Sequence, residues 1–167
     1  MARVLRHSRR ALAFSTGEHG TDKRRIQSRD RNVTRPLILI ADDNPDTREM
    51  YALYLGMVGY KVEEAADGRE ASIKARTFRP DLIVMDLQMP KVDGWAAIRE
   101  LQSHDATAAI PVIILTGHDF KAFLKPAAVA AGAVSYLMKP CFPEQLAREI
   151  STWLTAHRTR RVAGIRR

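Results

Sequence analysis

Cysteine occurs once, at Cys141, so no disulfide can close within the chain. That scarcity fits a reducing compartment, and the cytoplasm is the expected location. Long apolar runs are also missing: none approaches the ~18 residues of a membrane-spanning helix. The longest, Pro36 to Ala41 and Ile110 to Leu115, have the length of a strand. No set of cysteines and histidines has the spacing of a zinc site, and no segment reads as a DNA-recognition helix. Nucleic acid is therefore not an expected partner. What remains is a chain with 46% apolar residues, enough to bury a real core.

The net charge of +8 is unevenly spread. Residues 1–35 hold ten Lys or Arg against three acids, and residues 157–167 hold five Arg and no acid. Between them, residues 36–156 hold twelve basic and sixteen acidic residues, a balance of −4. A mildly acidic domain thus sits between two basic ends, and charge runs of this kind read as solvated tails. Met1 to Thr16 lacks acids and intersperses Leu5, Leu12 and Phe14 among arginines, a composition shared with organelle transit peptides. The plainer readings are a basic tail, or a start that lies upstream of a domain beginning near Val33. The expected division is a disordered extension over 1–35, a domain over 36–157 and a basic tail over 158–167.

Within the domain, two periods alternate. Leu37 to Ala41 is a continuous β-prone run, as in a strand buried on both faces. Asn44 and Pro45 suit a helix start, Met50, Leu53, Tyr54 and Met57 recur at helical spacing, and Gly59 ends the pattern. Lys61 to Ala65 predicts a second strand and Arg69 to Phe78 a second helix. Leu82 to Met85 predicts a third strand that ends at Asp86, followed by a helix over Gly94 to Leu101. Ile110 to Leu115 predicts a fourth strand. Phe120 to Ala131 reads as mostly helical despite Pro126. Ala133 to Leu137 predicts a fifth strand, and Pro143 to Ala156 a last helix with Leu146, Ile150, Trp153 and Leu154 on one face. Such alternation implies an α/β fold, a parallel five-stranded sheet covered on both faces, doubly wound by right-handed crossovers.

In such folds the site lies beyond the C-terminal ends of the strands. Asp42 and Asp43 follow strand one, Asp86 strand three, Thr116 strand four, and Lys139 strand five. Each alone has a plainer reading: a helix start, a loop acid, a cap, a surface lysine. The fold rule places all five at one rim. Three carboxylates there repel one another unless a cation is present, and Mg²⁺ suits a site of few carboxylates, water and phosphate. A carboxylate in that setting can attack phosphorus to form an aspartyl phosphate, with Lys139 and the Thr116 hydroxyl facing the phosphoryl oxygens.

The stretch from Pro36 to Ala156 resembles the receiver domains of two-component response regulators. The pieces that carry the likeness are Ile-Leu-Ile-Ala-Asp-Asp-Asn ending at Asn44, Asp-Leu-Ile-Val-Met-Asp-Leu-Gln-Met-Pro from Asp81 to Pro90, Val-Asp-Gly at 92–94, Thr116-Gly117, Ala131-Gly132-Ala133, and Tyr136-Leu137-Met138-Lys139-Pro140. The resemblance implies a flavodoxin-like, three-layer fold like that of the chemotaxis response regulator, with strand order 2-1-3-4-5. It implies that Asp86 is phosphorylated by a sensor histidine kinase or phosphotransfer protein. Mg²⁺ would be held by Asp43, Asp86 and the backbone carbonyl of Gln88, and by Asp42 through water. Lys139 would contact the phosphoryl group, Thr116 and Tyr136 would form a switch pair, and the Lys139-Pro140 bond would be cis. Such a domain is a phosphoacceptor that assists its own chemistry and signals to a downstream protein; it is not an enzyme of turnover.

Two features depart from the family pattern. The segment from Thr116 to Gly132 is about one residue longer than usual, and Pro126 falls where a helix should run. About eleven residues follow the last helix, too few for another domain, so a stand-alone receiver is expected. Two other functions fit parts of the sequence. The Arg-rich ends could add phosphate contacts in a regulator that binds nucleic acid. An aspartyl-phosphate phosphatase would use the same nucleophile, but it needs a second acid beside it, where Gln88 stands.

Overall fold

The computed structural model describes residues 35–117 and 124–162. The basic extension and the start of the expected helix at Phe120 fall outside them, Arg35 apart. Among the described residues, five strands alternate with five helices: β1 (Leu37–Ala41), α1 (Pro45–Met57), β2 (Lys61–Ala65), α2 (Gly68–Phe78), β3 (Leu82–Met85), α3 (Gly94–Ser103), β4 (Val112–Thr116), α4 (Leu124–Ala130), β5 (Ala133–Met138) and α5 (Pro143–Val162). All strand pairs are parallel, in the order β2-β1-β3-β4-β5. The α/β, flavodoxin-like architecture expected from the sequence is the one observed.

Alternation along each strand builds two cores. Leu39, Ala41, Ile83, Met85, Val112 and Ile114 face one side, against Ala71, Ala75, Ala97, Ile98 and Leu101 of α2 and α3 and Ala128 of α4. Ile38, Ile40, Leu82, Val84, Ile113 and Leu115 face the other, against Tyr51 and Leu55 of α1 and Leu146 and Ile150 of α5. Each fully buried Ile or Leu contributes roughly 1.5–3 kcal/mol. Burial on both faces is why β1, β3 and β4 read as unbroken apolar runs. The edge strand β2 instead carries Lys61, Glu63 and Glu64.

Helix starts are set by side chains that accept orphan backbone N–H groups. Asn44 accepts from Thr47, Asp67 from Glu70 and Asp93 from Ala96. All three caps lie in the loops beyond the C-terminal ends of strands, so the same loops that start helices also carry the polar rim.

Several boundaries differ from the expectation. β4 begins at Val112, because Ile110 closes a turn through its N–H to Thr107 (2.9 Å) and Pro111 lacks an N–H. The expected apolar stripe of α1 faces outward: Met50, Leu53 and Met57 are 42%, 67% and 77% exposed, and Tyr51 and Leu55 face the sheet instead. The described α4 spans Leu124–Ala130 and contains Pro126. β5 continues to Met138, and α5 runs past Ala156 to Val162, so the boundary expected at 157 lies inside a helix. Among the described residues no helix is long and apolar enough to cross a membrane.

Candidate functional site

At the C-terminal rim of β1 and β3 the chain turns sharply, and each turn is tied by the carboxylate that matters. Asp42 is 1% exposed, and its Oδ1 accepts the Asn44 N–H at 3.0 Å. Asp86 is 5% exposed, and its Oδ1 accepts the Gln88 N–H at 3.0 Å. The second oxygen of each carboxylate receives the Lys139 ammonium, at 2.5 Å in both cases. One cation thus bridges two nearly dry carboxylates from the loop after β5. Burial works against the ammonium, but the bonds to Asp42 and Asp86 outweigh it and raise the Lys139 pKa above its ordinary value.

Asp43 stands beside this pair on the solvent side. Asp42, Asp43 and Asp86 each offer a carboxylate oxygen, and these lie within 4.8 Å of one another. A single ammonium leaves the cluster of three carboxylates short of positive charge. Hard oxygen donors at this spacing fit a divalent cation such as Mg²⁺.

Thr116 ends β4, fully buried, and its carbonyl accepts the Lys139 N–H at 2.9 Å. Tyr136 pairs with Ile114 on the neighbouring strand and packs against the core on the α2, α3 and α4 side. Because residues two apart share a face, Thr116 and Tyr136 are diagonal neighbours on one side of the sheet. The Lys139-Pro140 peptide bond is cis. All the residues anticipated at the strand ends therefore gather at one rim, with Gln88 two residues beyond Asp86.

Residues beyond those anticipated at the strand ends also shape the site. Arg48 Nη1 donates to the Asp42 carbonyl at 2.7 Å, and its Nε lies 3.5 Å from Glu64. Its place one turn into α1 was the only available sign. Tyr51 donates its hydroxyl to the Cys141 carbonyl at 2.7 Å, pinning the loop after Lys139 to α1. Burial pushes the Tyr51 phenol well above its ordinary range. Gly94 lies against the turn after β3: a Cβ there would sit 2.1 Å from the Asp86 carbonyl oxygen and 2.8 Å from the Leu87 Cα. No other residue fits without moving the loop that follows Asp86.

Comparisons with known proteins agree with this geometry. Residues 38–151 match the response regulator receiver domain family. The chain is 37% identical over 119 residues to the DNA-binding dual master transcriptional regulator RpaA of Synechocystis, a match covering 71% of this chain and 49% of RpaA. It thus spans about half the length of this curated relative. Among solved structures, the chemotaxis response regulator CheY4 of Vibrio cholerae is 34% identical, with a TM-score of 0.67 over 71% of this chain and 98% of that one. The receiver domain of the sensor histidine kinase PA1611 from Pseudomonas aeruginosa holds a magnesium ion in its active-site cleft. It is 31% identical, with a TM-score of 0.66 over 73% of this chain and 99% of that one. With the carboxylate rim, the bridging lysine and the sheet order all in agreement, the chain belongs to the family of response regulator receiver domains.

Proposed function

We propose that Asp86 accepts a phosphoryl group from the phosphohistidine of a sensor kinase or phosphotransfer protein, and that the resulting charge changes the surface this domain shows to a downstream protein. The observation that carries this reading is the Lys139 ammonium bridging Asp42 and Asp86 within a cluster of three carboxylates. Asp43, Asp86 and the Gln88 carbonyl would hold Mg²⁺, with Asp42 acting through water. When bound, the ion supplies positive charge at the phosphoryl oxygens. An Asp86 oxygen attacks phosphorus as the donor's P–N bond breaks, and the imidazole leaves with that electron pair. Lys139, already beside Asp86, then faces a phosphoryl oxygen, and the Thr116 hydroxyl donates to another. Thr116 moves to make that bond, and Tyr136, its diagonal neighbour, turns into the space vacated.

The reaction is tested without the cognate kinase by supplying acetyl phosphate and Mg²⁺. Intact-mass measurement should show one added phosphoryl group on the parent chain and none on Asp86→Asn. Labelling that persists in Asp86→Asn would place the acceptor elsewhere.

A further inference from the structure

The loop from Leu87 to Asp93 carries Gln88, and its far half is fastened to a different element. Lys91 adopts φ +65°, a left-handed conformation that costs a non-glycine residue free energy. Its ammonium lies 2.8 Å from Asp67 Oδ2, while Asp67 Oδ1 accepts the Glu70 N–H at 2.9 Å to cap α2. Asp67 is only 7% exposed, and the Lys91 ammonium holds its carboxyl below the usual range. The next residue, Val92, accepts the Gly68 N–H at 3.1 Å. A Cβ on Gly68 would lie 2.6 Å from that carbonyl, so the loop and the start of α2 are in direct backbone contact.

Between Gln88 and Lys91 the loop has little freedom to absorb a shift. Met89 is 8% exposed and belongs to the core, Pro90 has a fixed φ, and the Val92 N–H returns to the Pro90 carbonyl at 2.8 Å. We propose that Lys91 and Asp67 are positioning residues for the cation site, their ion pair holding the β3–α3 loop in the backbone conformation from which the Gln88 carbonyl would join Asp43 and Asp86 around a cation. Neither residue touches the cation; they act through the loop. The inference rests on the metal-binding reading given under Proposed function.

The test is Mg²⁺ titration of the full chain by calorimetry at low ionic strength. Lys91→Asn removes the charge yet tolerates the left-handed backbone, and Asp67→Asn removes the charge yet keeps an N-cap. Each should weaken Mg²⁺ binding roughly two- to fivefold, the range of a partly exposed ion pair. The double variant should be no worse than either single, because both break the same contact. Lys91→Arg should restore parent affinity, and the difference between parent and Lys91→Asn should shrink at high salt. A parent that binds Mg²⁺ while both Asn variants bind it equally well would overturn the inference alone, leaving the pair a structural staple. A parent with no Mg²⁺ binding would overturn the functional reading and this inference together.

Discussion

Lys139 is the only cation that the described structure places against both Asp42 and Asp86, which are 1% and 5% exposed. Removing it leaves two buried carboxylates uncompensated. Lys139→Met should therefore lower stability by about 2 kcal/mol at neutral pH, read from chemical denaturation. The same loss makes the cluster more negative, so this variant should bind Mg²⁺ more tightly than the parent while accepting phosphate more slowly. Weaker Mg²⁺ binding in Lys139→Met would contradict that electrostatic account. The pH dependence has a definite sign. The pKa of Lys139 is raised above 10.5 in the folded chain, so folding holds this proton more tightly than the unfolded chain does. The associated stability is complete below the ordinary value and drains away as pH climbs through the folded one. The buried Tyr51 phenol also loses stability in alkali, so the informative quantity is the parent curve minus the Lys139→Met curve.

Among the elements, α1 separates what a pattern can say from what packing decides. Met50, Leu53, Tyr54 and Met57 recur at helical spacing, and so do Tyr51 and Leu55, because this helix is apolar on more than one side. Periodicity identifies a helix but not which stripe meets the sheet. Leu55→Ala should cost roughly 2–5 kcal/mol and Leu53→Ser less than about 0.5 kcal/mol, measured as denaturation midpoints. Equal losses would mean that α1 is rotated. The strands were more legible, since β1, β3 and β4 are buried on both faces and nothing polar interrupts them. Their ends could be read from the polar residues that follow, which is how Asp42, Asp43, Asp86, Thr116 and Lys139 came together. The supports of the site could not be read that way. Arg48 works through a partner brought near only by folding, the Asp42 carbonyl, and the role proposed for Lys91 depends in the same way on Asp67. The end of α5 was missed for a different reason: beyond Ala156 the helix continues as His-Arg-Thr-Arg-Arg, which has no apolar stripe to mark it in the sequence.

Across the whole molecule, the proposed signal has to travel from the rim to a surface. A ligand shifts a conformational equilibrium only through contacts that differ between the states. The differing contact proposed here is the Thr116 hydroxyl, so Thr116→Ala should still take phosphate on Asp86. Its amide hydrogen exchange should change less than the parent's around Tyr136 and α4 when beryllofluoride mimics the phosphate. Equal changes in both proteins would route the signal elsewhere. The connectivity of the sheet has a further consequence, in the order of events during synthesis. Lys139 lies 97 positions after Asp42 and 53 after Asp86, and the strand that precedes it, β5, is the last of the sheet in chain order and lies at its edge. As the chain emerges from the ribosome, the two carboxylates are present long before their counter-charge, and parallel pairing gives no local hairpin to hurry it. A nascent chain halted before β5 would hold an acidic rim with no lysine, so the centre closes only once nearly all of the domain has been made.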